Sequence, residues 1–337
     1  MVLVSSNVQA QKIREDFLKL IDRPRVPLTV KAQQQVGGEG QTAFRFTYMS
    51  APETQVPGIL IKPTGTTGRL PVVIALHGTG GKKEDQLPLL RQVVAKGFIG
   101  VAIDAPYHGE RSLSGKGSTD YQNAILLAWQ ANEKPHEHPF FYDTVWDVMR
   151  LVDYLVARDD VDPTRIGLYG VSKGGIETYL TAAVDPRIAT AVPCIGVESF
   201  KWALENDSWH SRIGTIQTAF DAAAREARVE KPDAKFVKQF YDRVVPGICE
   251  EFDGPSMVPL IAPRPLMTIN GEIDPRTPMP GLQLCIEAAK KVYHAAGVDD
   301  HLLVRIQPKT GHKVNPDSQE AGVEWLVRWL KPQQPGH

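Results

Sequence analysis

The chain has 337 residues, 42% of them apolar and 23% charged, a globular composition with room for one large core or two ordinary ones. Thirty-eight Lys and Arg against 39 Asp and Glu leave a net charge of −1, which excludes the basic footprint of a nucleic-acid binder and the bias of an acidic tail. No run approaches the roughly 18 apolar residues of a membrane span, so neither nucleic acid nor membrane is an expected partner.

The first residues, Met1-Val2-Leu3-Val4-Ser5-Ser6, lack the basic and long apolar regions of a secretory leader. Cys194, Cys249 and Cys285 form no CxxC pair, which suits free thiols in a reducing compartment, and the expected address is cytoplasmic. A helix is expected over residues 11–21, closed by Pro24 and Pro27. Residues 44–48 and 56–61 alternate apolar with polar and predict an antiparallel edge hairpin with one wet face. Residues 72–76, 98–103, 166–169, 189–192, 266–269 and 302–306 are near-continuous apolar runs. Strands buried on both faces read this way, and the amphipathic stretches between them predict parallel pairing.

The clearest helix is expected from Asp143, as N-cap, to about Arg158. Val145, Val148, Met149, Val152, Leu155 and Val156 make its apolar stripe. A second amphipathic helix over 317–330 closes the chain. Two stretches interrupt the alternation. Residues 106–139 are polar and rich in Gly and His, a long loop with a helical piece at 124–129. Residues 200–262 carry helical pattern without a strand and are read as a helical lid inserted in the sheet's sequence, and loops of this length usually carry function.

Gly170-Val171-Ser172-Lys173-Gly174 stands between an apolar strand and a helix-compatible run, the setting of a G-x-S-x-G nucleophile elbow. Such a turn strains the serine backbone at about 1–3 kcal/mol and lifts the hydroxyl above the sheet. A serine needs a base to take its proton. His312, in Thr310-Gly311-His312-Lys313, follows the last strand, whereas His301 precedes that strand and belongs at the other end of the sheet; His294 is expected on a helix surface. Asp274 follows the penultimate strand and completes the order Ser, Asp, His, with Glu272 as its rival. Oxyanion donors are expected at the N–H of Lys173 and at Thr79, with Gly78 as the alternative, in His77-Gly78-Thr79-Gly80-Gly81. That loop has neither the dinucleotide nor the P-loop pattern, so a nucleotide site is not expected.

With these motifs the sequence resembles the α/β-hydrolases over residues 56–330. Leu76-His77-Gly78-Thr79-Gly80-Gly81, Asp104-Ala105-Pro106-Tyr107-His108-Gly109-Glu110-Arg111, Val161-Asp162-Pro163-Thr164-Arg165-Ile166-Gly167 and Ala262-Pro263-Arg264-Pro265-Leu266 are similar to the dienelactone-hydrolase-like and acetyl-xylan-esterase-like branch, which also holds the catalytic domains of prolyl-oligopeptidase-type peptidases. The resemblance implies a mostly parallel eight-stranded sheet, no metal or other cofactor, and ester hydrolysis through an acyl-enzyme. Dienelactone hydrolases proper carry Cys as nucleophile, where this chain has Ser172. The expectation is one α/β-hydrolase domain over 1–337, with a helical extension at 1–40 and the cap at 200–262.

Tyr107 and His108 lie in a loop that resembles one flanking the pocket in this branch, and Trp202 and Trp209 are candidates either to line an acyl pocket or to pack the lid onto the body. The Lys173 side chain is read as a solvated first-turn lysine or a partner for an acidic substrate. His136-Glu137-His138 with His108 lacks a third ligand at firm spacing and is set aside as a metal site. The expected partner is a small-molecule ester, with a homo-oligomer left open. Two competing readings are a serine peptidase or amidase on the same machinery and a non-enzymatic small-molecule receptor.

Overall fold

The structure, a computed structural model, describes residues 2–131, 138 and 140–331. Nine strands form one sheet: β1 Lys31–Gln35, β2 Gln41–Ala51, β3 Thr54–Pro63, β4 Leu70–Leu76, β5 Ile99–Ile103, β6 Val161–Val171, β7 Ile188–Cys194, β8 Leu266–Gly271 and β9 Leu302–Gln307. Their order is β1-β2-β3-β5-β4-β6-β7-β8-β9. The pairings from β1 through β3 to β5 are antiparallel, and those from β5 onward are all parallel.

This is the expected sheet with one strand more. β1 reads Lys-Ala-Gln-Gln-Gln, is almost wholly exposed and pairs with β2 alone, so it carries no apolar signal. The first forty residues therefore hold a strand as well as helix α1, Val2–Ile21.

Side chains of the parallel strands alternate between two cores. Val72, Ile74 and Leu76 point into one layer, while Val73 and Ala75 point into the other. Helices α2 Leu87–Ala95, α3 Gly117–Gln130, α4 Tyr142–Val156 and α5 Lys173–Val184 occupy the connections as far as β7. Between β7 and β8 come α6 Phe200–Glu205, α7 His210–Ile213, α8 Gln217–Glu226, α9 Ala234–Val244 and α10 Gly254–Met257, followed by a 3₁₀ turn and no strand. Helices α11 Met279–Ala295 and α12 Pro316–Leu330 complete the chain.

Two local expectations change. α3 is 14 residues long, more than twice the piece expected at 124–129, because Tyr121, Ala124, Ile125, Ala128 and Trp129 form one buried stripe. Asp143 is not the N-cap of α4: it lies inside the first turn, where its carboxylate accepts the His138 N–H at 2.8 Å and pairs with Arg23. Burial pushes that carboxyl up to about 6 despite the arginine. Among the described residues no helix is long and apolar enough to cross a membrane.

The chain runs from β4 to β5 on one side and then returns to β6 on the other. This reversal leaves a crevice beyond the carboxyl ends of β4 and β6, the usual place for a ligand in an open α/β sheet. His77-Gly78-Thr79 leaves β4 there, and Ser172 leaves β6.

Candidate active site

Ser172 joins β6 to α5 with φ 58° and ψ −116°, a conformation that L residues rarely adopt. It is held there from both sides, with its N–H donating to Cys194 O at 2.9 Å and its carbonyl accepting the Ile176 N–H at 3.1 Å. The two elbow glycines are sterically required. A Cβ on Gly170 would land on the Gly174 carbonyl oxygen, and one on Gly174 would land on that of Leu76.

Ser172 Oγ lies 2.7 Å from His312 Nε2, and His312 Nδ1 lies 2.8 Å from Asp274 Oδ2. The loops carrying the histidine and the aspartate are stitched together, with Ile273 N–H on Thr310 O at 3.1 Å and Glu272 N–H on Gln307 O at 3.0 Å. Buried Gln307 braces the histidine loop, donating to Lys313 O at 2.9 Å and accepting the Asn315 N–H at 2.7 Å. Asp274 also accepts the Arg276 N–H at 2.8 Å and the Thr277 hydroxyl at 2.9 Å. Burial raises its pKa, but the hydrogen bonds from His312, Arg276 and Thr277 outweigh burial and hold the carboxyl below the usual carboxylate range. An ionised acceptor at this position fixes Nδ1–H on the imidazole and leaves Nε2 free to take the serine proton.

The rivals lie elsewhere. Glu272 is exposed and accepts the Lys309 N–H at 2.7 Å. His301 reaches Pro263 O at 2.6 Å beyond the opposite end of β9, and His294 is exposed beside Asp299.

Lys173 heads α5, where a helix leaves its first N–H groups without internal partners. Its side chain does neither thing expected of it. It is buried, paired with Glu177 one turn on and 3.4 Å from the Thr144 hydroxyl, so it is neither solvated nor extended toward a substrate. Burial lifts Glu177 to about 7 against the pull of Lys173.

In the β4 loop, Gly80 N–H donates to His108 Nε2 at 3.0 Å and Gly81 N–H to Gly78 O at 3.1 Å, so neither is available to a substrate oxygen. Thr79 lines the cavity above Ser172, and Gly78 backs onto the serine. His77 and His108 form a reciprocal lock. His77 Nε2 accepts the Ala105 N–H at 3.1 Å, and each Nδ1 donates to a carbonyl at 2.8 Å, Gly78 O for His77 and Pro106 O for His108. Burial, with Lys173 nearby, lowers His77 to about 4 and His108 to about 2, so both rings are neutral in the folded protein.

The cavity over Ser172 and His312 has an empty volume of about 430 Å³. The insertion between β7 and β8 supplies Phe200, Arg212 and Tyr241 to its wall, and Arg276 stands beside Thr277 at the rim. The four residues expected around a substrate are not part of this wall. Tyr107 faces a separate depression with Glu110 and Arg111, His108 serves the lock, Trp202 leans on Gly281, and Trp209 stacks on His210 with its Nε1 on Asp207. The cavity arginines were missed because isolated arginines in a helical insertion carry no spacing signal; only Arg276, two residues after Asp274, stood in a loop already marked. Of the histidine-rich run at 136–138, His136 and Glu137 lie outside the described residues.

A strained serine at the switch point of a mostly parallel sheet, joined through a histidine to a carboxylate from later loops, marks the α/β-hydrolase class. Within that class the chain belongs to the acetyl xylan esterase family of carboxylic ester hydrolases, whose model matches residues 25–205; the prolyl oligopeptidase family model matches residues 117–333. The Bacillus subtilis (strain 168) protein YtaP is 24% identical over 338 residues, covering 96% of this chain and 100% of that protein. A 4-O-methyl-glucuronoyl methylesterase of Hypocrea jecorina is 29% identical over 69% of this chain, which spans 50% of that longer enzyme. An acetyl xylan esterase from Paenibacillus sp. R4 has the same fold, with a TM-score of 0.63 and 20% identity over 94% of this chain and 93% of its own.

Proposed function

We propose that the chain hydrolyses a small ester through an acyl-enzyme on Ser172. Ser172 Oγ attacks the ester carbonyl while His312 Nε2 takes its proton, and Asp274 holds the imidazolium that forms. The N–H groups of Lys173 and Thr79 receive the oxyanion, an arrangement worth about 3–4 kcal/mol per donor in comparable sites. Collapse of the tetrahedral adduct breaks the bond to the alcohol, which leaves with the imidazolium proton. Water, deprotonated by His312, then attacks the acyl carbon and restores the serine.

The observation that carries this reading is the unbroken hydrogen-bonded series from Ser172 through His312 to Asp274, at 2.7 and 2.8 Å. The narrow space over Ser172, walled by Phe140, Phe141, Ile176 and Phe200, favours a compact acyl or alcohol group. Residues 200–262 act as the cap that shapes this space, and three buried free thiols favour work in the reducing cytoplasm. Turnover of a p-nitrophenyl acyl series by the protein and by Ser172→Ala tests the proposal. The variant should lose about 10⁶ in kcat, as in a comparable triad; retention of most of the turnover would overturn the nucleophile assignment. Matched ester and amide substrates with one acyl group separate esterase from amidase action.

A further inference from the structure

Two arginines on the cavity wall have no carboxylate within ion-pair distance among the described residues. Other arginines with little exposure reach carboxylates or carbonyls, even where one nitrogen is left over, as at Arg150 Nε: Arg111 pairs with Asp147, Arg150 with Asp153, and Arg264 donates to the carbonyls of Ala182, Asp185 and Ile188. Arg212 is 7% exposed, yet among the described residues it makes a single hydrogen bond, from Nε to Ser211 Oγ at 3.1 Å. Its guanidinium lies over the Phe200 ring at 4.9 Å, and neither Nη finds an acceptor among the described residues. Arg276 has a fully buried Nη1 with no partner. No carboxylate among the described residues lies within ion-pair distance of either guanidinium, and both line the same cavity as Ser172 and His312.

Leaving a buried guanidinium nitrogen without an acceptor is costly, and a cavity that holds buried Arg212 and half-buried Arg276 in this state is built to receive negative charge. Nearby groups do not supply it. Lys173 and Glu177 satisfy each other, and Asp274 is committed to His312. Glu198 makes no ion pair with Arg212: both its carboxylate oxygens are buried without a hydrogen-bond partner among the described residues, and burial pushes it up to about 8 in spite of that arginine, which favours the neutral acid.

We infer that the ester taken by this site carries a free carboxylate, seated between Arg212 and Arg276 while Ser172 attacks the ester carbonyl. The inference rests on the esterase reading above and adds to it the charge of the substrate. A planar carboxylate suits the forked donors of arginine, and the aromatic and aliphatic remainder of the wall (Phe140, Phe141, Ile176, Ile195) suits a short apolar spacer between acid and ester. The acid can be borne on the acyl or on the alcohol side, and each has its own arm in the test.

The acyl arm compares monoethyl glutarate with ethyl 4-carbamoylbutanoate, in which the acid is replaced by its carboxamide isostere. The alcohol arm compares 4-acetoxyphenylacetate with 4-acetoxyphenylacetamide. Rates are followed by pH-stat. In at least one arm the acid is expected to exceed its amide by about ten- to a hundredfold in kcat/KM, the size of a charge-assisted hydrogen bond. That ratio should collapse toward one in Arg276→Gln and recover in part in Arg276→Lys. Reading the ratio within each variant separates charge recognition from a general loss of activity. Arg212→Gln is the second variant, because Arg212 stacks on Phe200 and its removal can disturb folding. Amides cleaved as fast as acids in both arms, or an acid preference that survives Arg276→Gln and Arg212→Gln alike, would overturn the inference with the esterase reading intact. No turnover of any of the four esters or of p-nitrophenyl acetate would bring down both.

Discussion

At Asp274 two effects compete, and the balance between them determines what the histidine can do. Burial alone would favour a neutral carboxyl, which could not orient the imidazole; three hydrogen bonds keep it ionised. Asp274→Asn keeps the shape but presents the wrong partner to Nδ1, so kcat on a p-nitrophenyl ester should fall by about 10⁴ with KM much less affected. The depressed pKa also stabilises the fold above the ordinary carboxylate value near pH 4, and this contribution is lost as the pH falls through the lower folded value. His77 and His108 act in a higher window. The unfolded chain protonates them below about pH 6.5, whereas the folded rings resist until about 4 and about 2. Stability should therefore drop on acidification from pH 6.5 to 5. Urea unfolding at the two pH values should show a dependence smaller in His108→Gln by about 1.4 kcal/mol per pH unit. The three residues now joined at the site could be read from sequence because each follows an apolar run at the same end of the sheet. His108 as a lock and the arginines of the cavity could not, because their partners come from loops distant in sequence.

The strand–turn–helix element at Ser172 stores strain in the backbone of its central residue. Glycine adopts φ 58° without the side-chain penalty that alanine shares with serine. Ser172→Gly should therefore be more stable than Ser172→Ala by about 1 kcal/mol in denaturant unfolding, with both inactive. Gly170→Ala meets the Gly174 carbonyl and should destabilise by about 1–3 kcal/mol or more, with activity lost through displacement of the serine. Elements with a clear period were legible: the central strands, α4 and α12 all lie within a few residues of their expected bounds. β1 was not, because an exposed edge strand is specified by its pairing with β2 and not by apolar residues. The start of α3 was hidden because Gly117-Ser118-Thr119-Asp120 reads as loop, although the buried stripe begins at Tyr121.

Across the whole molecule the N-terminal helix belongs to the core. Phe17 is fully buried, edge-on to Tyr142 at 4.8 Å and to Phe252 at 5.1 Å, and so ties α1 to α4 and to the segment before α10. Phe17→Ala should cost about 3–5 kcal/mol in urea unfolding, a loss too large for a loosely attached appendage. The parallel strands buried on both faces followed from the near-continuous apolar runs; their order in the sheet and the fit of α1 against them depend on tertiary contacts that no local pattern encodes. The same sealed interior encloses Cys194, Cys249 and Cys285, all unbridged. A maleimide added to the native protein has no sulfur within reach, and in denaturant it has three. Alkylation counted by intact mass over time thus becomes a clock for how often the closed molecule opens.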